Sequence, residues 1–200
     1  MFKRLFFALA FVTVAFAAQA QFQIGLKAGV NVSNTRFSPE PLDFLRGKTD
    51  FHAGVFAVAP ITERVAFQPE LLYSRQGFRV GGSNLASVNL HYLQVPALLN
   101  FHVTDGLSVQ AGPQVGYLAD ARVGVGNWFA ISYGDAFQKW DASLVGGLQY
   151  ELPGGLTLGG RYIHGLSNVN RNFDLVESFS FNDFVRMRNA GFQFSVGYKF

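Results

Sequence analysis

From residue 22 onward, apolar and polar residues alternate along the chain with a period of two. In the first stretch Phe22, Ile24, Leu26, Ala28, Val30 and Val32 share one parity, and Gln23, Gly25, Lys27, Gly29, Asn31 and Ser33 take the other. The last stretch repeats this, with Ala190, Phe192, Phe194, Val196, Tyr198 and Phe200 set against Gly191, Gln193, Ser195, Gly197 and Lys199. Alternation of this kind is the mark of strands whose two faces meet different surroundings. Six further strands are predicted at about 51–59, 65–75, 90–101, 107–119, 139–150 and 156–167; the first of these, FHAGVFAVA, is apolar on both parities. Connectors alternate in length. Those at 33–50, 76–89, 120–138 and 168–188 are long, while 60–64, 102–106 and 151–155 are short and carry Pro60, Asp105-Gly106 and Pro153-Gly154-Gly155, residues suited to tight turns. The pattern predicts an all-β chain: an eight-stranded antiparallel up-and-down β-barrel with both ends at the tight-turn side.

Periodicity leaves the direction of the faces open, and composition settles it. A soluble barrel covers its outside with Lys and Glu, but here the polar parity is mainly Gly, Gln, Ser and Asn, and the apolar parity has no charged residue within a strand body. Charged residues make up 14% of the chain against roughly 25% in an ordinary soluble domain, so a solvent other than water is expected around part of the surface. Aromatic residues also gather near the strand ends: Phe22, Phe67, Phe101, Tyr150 and Phe200 on the turn side, Tyr73, Tyr117 and Trp140 toward the loops. Such girdles, with short turns on one side and long loops on the other, predict a transmembrane barrel with periplasmic turns and extracellular loops. An open sheet edge in hydrocarbon would strand backbone N–H and C=O groups, so the first strand is expected to pair with the last.

Residues 1–20 read as a secretory signal peptide: Lys3 and Arg4, an apolar run from Leu5 to Ala18, then Ala18-Gln19-Ala20. The run falls short of the roughly 20 residues that cross a bilayer as a helix. Cleavage after Ala20 is expected to leave 21–200 as the barrel domain, exported to the outer membrane. With Lys3 and Arg4 gone, the 16 basic residues become 14 against 13 acidic, a net +1 that makes no electrostatic case for nucleic acid. There is no Cys, so no disulfide framework supports the fold.

The segments QPELLYSRQG (68–77), YLQVPALLNF (92–101), AGPQVGYL (111–118), GLTLGGRYIHGLSNV (155–169) and the terminal GYKF resemble the outer-membrane protein β-barrel domain family of Gram-negative bacteria, its porin-like, PorT-type group. The resemblance covers essentially all of 21–200 and implies the barrel without assigning a ligand. Members commonly carry an acidic residue where Gln94 stands and a basic one where Asn100 stands. The closing alternation Val196, Tyr198, Phe200 is similar to the signal by which barrel assembly machinery recognises outer-membrane proteins.

Within this frame Lys27, Glu70 and Arg161 fall on the polar parity, each five positions from the turn end of its strand. Eight strands enclose a lumen that side chains fill, and a buried charge needs a partner, so Glu70 is expected to pair with Arg161, Lys27 or both. Structural filling is the preferred role, with a proton or ion relay as the alternative. The strand glycines relieve crowding, since no strand-loop-helix context exists for a phosphate cradle. A catalytic set would need His52, His91 or His164 with Ser83, Ser87 or Ser167 and an acid such as Asp141, and no spacing supports one. No metal-ligand spacing and no cofactor motif is found. The long loops carry clustered aromatics, with Trp128, Phe129, Tyr133, Phe179 and Phe181 the candidate contact residues; strands continuing past the bilayer and packing these rings together are the alternative.

The expected function is a small non-catalytic outer-membrane barrel with a structural or loop-mediated binding role in the envelope. Its expected partners are outer-membrane lipid, the assembly machinery and an extracellular or envelope partner through the loops. A narrow passive pore for small solutes is the second reading and a barrel-embedded enzyme the third.

Overall fold

The computed structural model describes residues 22–38, 45–80, 86–125, 129–132, 138–167 and 186–200. Within them the strands are β1 (Gln23–Ser38), β2 (Leu45–Pro60), β3 (Val65–Val80), β4 (Ala86–His102), β5 (Leu107–Val125), β6 (Phe129–Ser132), β7 (Trp140–Glu151), β8 (Leu156–Gly165) and β9 (Arg186–Lys199). Every pairing is antiparallel, and the ring runs β1-β2-β3-β4-β5-β7-β8-β9 and back to β1. The barrel is therefore closed and eight-stranded. The β1–β9 seam is continuous from Gly25↔Lys199 to Ser38↔Arg186, which removes the open edge that hydrocarbon would not tolerate.

Turn chemistry explains the tight end. In 61–64, the Thr62 hydroxyl accepts from the backbone N–H groups of Arg64 and Val65; in 103–106, the Thr104 hydroxyl accepts from Leu107 N–H. These are side-chain mimics of a backbone turn. The third turn uses positive φ instead, at Gly154 (93°) and Gly155 (88°).

Toward the other end the strands outrun the sequence pattern. The segments expected as loops at 33–50, 76–89, 120–138 and 168–188 are partly strand: β1 continues to Ser38, β2 begins at Leu45, β3 and β4 leave only 81–85 between them, β5 reaches Val125, and β9 begins at Arg186. β5 spans 19 residues, where crossing a bilayer takes about 9–11. A short ninth strand, β6, pairs with β5 from Arg122↔Ser132 to Val125↔Phe129. The expected strand 156–167 stops at Gly165. Beyond the lipid neither face must be apolar, so alternation lapses while backbone pairing goes on. Two irregularities also escape the pattern. The β2–β3 register shifts by one between Gly47 and His52. In β5, Ala119 has no partner between Leu118↔Tyr92 and Asp120↔His91, so Leu118 and Ala121, three apart, are both buried.

Face by face, burial follows the pleat. Leu26, Leu71, Val109 and Leu158 point outward, 53%, 45%, 38% and 44% exposed on the isolated barrel. Both aromatic belts lie on this outer face, and Tyr117 and Trp140 meet edge to face at 5.1 Å. Inside, Phe56, Leu72, Tyr92 and Leu98 are buried together with the polar residues described next.

Candidate functional site in the barrel lumen

Inward positions bring Lys27 from β1, Glu70 from β3 and Arg161 from β8 together. Lys27 Nζ donates to Glu70 Oε1 at 2.6 Å, and Arg161 Nη1 donates to Glu70 Oε2 at 2.9 Å. All three side chains are buried, at most 3% exposed. In the ring of eight, β3 and β8 lie four places apart by either route, so they face each other across the diameter. A direct ion pair between them means that the lumen is crossed from wall to wall at this level.

Small neighbours make the crossing sterically feasible. Both register partners of Lys27 are glycines, Gly54 and Gly197, and the β7 partner of Arg161 is Gly147. A Cβ on Gly147 would sit 2.5 Å from Arg161 Cβ, closer than side chains tolerate. Lys27 Nζ also lies 5.2 Å from the centre of the Phe56 ring, a cation–π arrangement.

Amides extend the network along the axis. Gln68 Nε2 donates to Glu70 Oε1 at 2.7 Å, and Asn100 Nδ2 donates to Gln68 Oε1 at 2.6 Å. Gln110 Nε2 then donates to Asn100 Oδ1 (3.1 Å) and to Gln149 Oε1 (3.0 Å). Asn100, at a position where family members commonly carry a basic residue, thus belongs to a chain of neutral amides. On the far side Arg161 Nε donates to Gln193 Oε1 at 2.8 Å. Nearer the loops Asn31 donates to Ser74 Oγ at 2.9 Å and pairs through Oδ1 with His52 Nδ1 at 2.8 Å. Because Asn31 Oδ1 only accepts, His52 Nδ1 is the donor of that bond. Parity placed these residues on the inner face, but their joining into one chain depends on the vertical register of strands distant in sequence.

The rim at the end opposite the tight turns carries a second polar group. Asp50 lies 3.1 Å from Lys48 Nζ and 3.3 Å from Arg75 Nε, and both cations donate to Asn89 Oδ1. Above it the register sets arginines directly opposite each other, Arg46↔Arg79 between β2 and β3 and Arg36↔Arg188 between β1 and β9, with Arg186 opposite Ser38. Like charges directly opposite in a sheet destabilise it unless something neutralises them.

A family model described as outer membrane protein beta-barrel domain matches residues 17–171, more than half of the chain. The chain belongs to the outer membrane protein beta-barrel domain family. Solved structures agree with this outer-membrane barrel in fold. The attachment invasion locus protein Ail of Yersinia pestis superposes with a TM-score of 0.51 at 15% identity, covering 89% of this chain and 98% of that one. Neisserial surface protein A superposes with a TM-score of 0.55 at 13% identity, covering 88% and 97%. No curated protein matches the sequence.

Two of the other candidates, Ser167 and Asp141, meet in this outer-membrane barrel. Ser167 Oγ donates to Asp141 Oδ1 at 2.5 Å and accepts from Ala142 N–H, His91 pairs with the Tyr73 hydroxyl, and the His164 ring lies tilted beside that of Tyr162, 6.4 Å between centres. At the turn end, outside the sequence candidates, Ser108 Oγ pairs with His102 Nδ1 at 2.8 Å, and His102 lines a cavity with Glu63 and Asp105; among the described residues no cluster of His, Asp or Glu is placed to hold a metal. Ser83 lies outside the described residues, as does the side chain of Ser87. Val196, Tyr198 and Phe200 all face outward. Of the loop aromatics, Trp128, Tyr133, Phe179 and Phe181 lie outside the described residues, and Phe129 opens β6 opposite Val125.

Proposed function

We propose that this protein is a non-conducting, non-catalytic outer-membrane barrel that presents its extracellular rim to an anionic partner in or outside the envelope. The observation that carries the closed lumen is the Arg161–Glu70 pair across the full diameter, backed by Lys27 and by the amide chain toward the turns. Buried charges that satisfy each other serve as filling, the role small barrels give to their interior. What supports the rim as the working surface is its construction. The strands continue well past the aromatic belt at Tyr73, Tyr117 and Trp140, and they set arginine against arginine at Arg46↔Arg79 and Arg36↔Arg188. Such pairs suit a ligand rich in phosphate or sulfate, whose oxygens accept from several guanidinium groups at once. Ail has been solved in complex with the heparin analogue sucrose octasulfate. In the same reading, residues 1–20 are a cleaved export signal, the outward Val196, Tyr198 and Phe200 are read by the assembly machinery, and Trp128, Phe129, Tyr133, Phe179 and Phe181 belong to the contact surface.

The test has two arms. Liposomes carrying the purified protein are expected to swell no faster in small sugars than empty ones, and a steady swelling rate would overturn the closed lumen. Cells producing the protein are expected to retain immobilised heparin, and Arg46→Gln with Arg79→Gln to lose that retention. Equal retention by the variant would remove the rim from the account.

A further inference from the structure

On the outer wall the pleat leaves two adjacent strands without a side chain at one position each. Gly146 on β7 and Gly160 on β8 share parity with Leu148 and Leu158, which face outward. Gly160 stands in one row between Leu148 of β7 and Phe194 of β9, with Val30 of β1 next in line. Gly146 stands one row nearer the loops, opposite Tyr162. Over Gly160 the wall carries a groove of about 530 Å³, bounded by Val30, Leu148, Tyr150, Leu158, Phe194 and Val196. That volume falls within the roughly 300–1,000 Å³ of sites that hold small molecules. All six bounding side chains stand out from the barrel, 44% to 53% exposed, so the groove opens onto the surface that the membrane covers.

Its two ends differ. On the turn side lies Tyr150, part of the aromatic belt, and belt rings sit at headgroup level. On the loop side the rings of Tyr162 and Phe192 lie 5.1 Å apart and Phe192 stacks on Phe194 at 6.5 Å, so that wall is braced by its neighbours. Beside Tyr162 a Cβ built on Gly146 would meet nothing within 4 Å, which leaves the groove a way past the ring. From the belt over Gly160 into the hydrocarbon, the groove follows the course of one lipid molecule. In lipid the hydrophobic effect no longer drives association, and packing decides what rests on a wall. An unfilled groove forfeits the dispersion contacts of its lining, whereas a chain seated in it is touched from the floor and from both sides. A second barrel, convex like the first, would rest on the edges of the groove and leave its floor empty.

We propose that the groove over Gly160 is a binding site for one acyl chain of a membrane phospholipid, whose headgroup lies at the turn-side belt beside Tyr150. The site is separate from the rim and from the lumen, and it stands or falls independently of any partner at the rim. A chain held there exchanges more slowly than lipid around the rest of the wall.

The test uses the full-length protein refolded into phosphatidylcholine vesicles, a small share of whose lipid carries a photoreactive diazirine in the acyl chain, with adducts mapped by peptide mass spectrometry. Adducts on Leu148, Leu158 and Phe194 are expected to exceed those on Leu71 and Val95 several-fold, although all five side chains are comparably exposed. Gly160→Leu fills the floor, and its Cβ makes ordinary contact with the Phe194 ring at 3.6 Å; in this variant the excess is expected to vanish. Adducts spread evenly around the wild-type wall would overturn the proposal and leave only ordinary lipid contact. An excess that persists in Gly160→Leu would overturn the placement of the chain. Cross-links between copies, with the groove protected from the lipid label, would overturn it in favour of a second barrel. If Gly160→Leu does not fold, the wild-type distribution decides alone.

Discussion

Removing the Glu70 carboxylate is the sharpest single perturbation of the lumen. Glu70→Ala deletes the acceptor of three buried donors, Lys27 Nζ at 2.6 Å, Arg161 Nη1 at 2.9 Å and Gln68 Nε2 at 2.7 Å. It leaves two like charges facing each other with no route to water, since neither cation is more than 3% exposed. Breaking a buried pair from one side costs about 3–5 kcal/mol, and one carboxylate serving two cations places this case in the upper half, about 4–5 kcal/mol. That is roughly three decades in the unfolding equilibrium constant. Urea unfolding from lipid vesicles, followed by tryptophan fluorescence, reads the loss directly, since Trp140 sits on the outer belt. Replacing the whole set, Lys27→Met with Glu70→Leu and Arg161→Met, is expected to recover most of the stability, because an apolar filling needs no counter-charge. A loss below about 1 kcal/mol in Glu70→Ala would mean that the two cations reach water by some other path and are not a buried pair.

Three further outcomes test the geometry. Gly147→Ala is expected to cost about 1–3 kcal/mol, because its Cβ would lie 2.5 Å from Arg161 Cβ, while Gly146→Ala, with nothing within 4 Å, is expected to be neutral or to gain up to about 1 kcal/mol; equal effects in the same unfolding assay would contradict the inward and outward assignment. Leu71→Arg places a charge on the outer face and is expected to cost about 2–4 kcal/mol near the bilayer midplane; unchanged stability in lipid would move Leu71 out of the hydrocarbon. The chain has no cysteine of its own, so a single Cys at position 153 is expected to resist an impermeant thiol reagent in intact cells; rapid labelling there would invert the topology.

What the sequence makes legible is what the lipid dictates. Leu26, Leu71, Val109 and Leu158 had to be apolar, and the residues between them had to fit a narrow polar interior, so period two yields the strands and both faces. Counting from the turns also brings Lys27, Glu70 and Arg161 to one level. Where lipid ends, so does the constraint. The strand portions at 34–38, 45–50, 76–80 and 120–125 obey hydrogen-bond pairing alone, and Leu45, Arg46, Arg79 and Val80 carry no alternation that separates strand from loop. The shift in β2 and the unmatched Ala119 in β5 leave no mark in composition. The chain Gln149, Gln110, Asn100, Gln68 was hidden for another reason: single amides read as ordinary polar-face residues, and only the stagger of four strands puts them in one line.

Planar-bilayer recording of the purified protein shows whether side chains fill the lumen across its diameter. A filled lumen gives no steady conductance from the wild type at any polarity. A reproducible open channel, whose ion selectivity changes in Glu70→Ala without loss of stability, would contradict it and make the same three charges the lining of a pore.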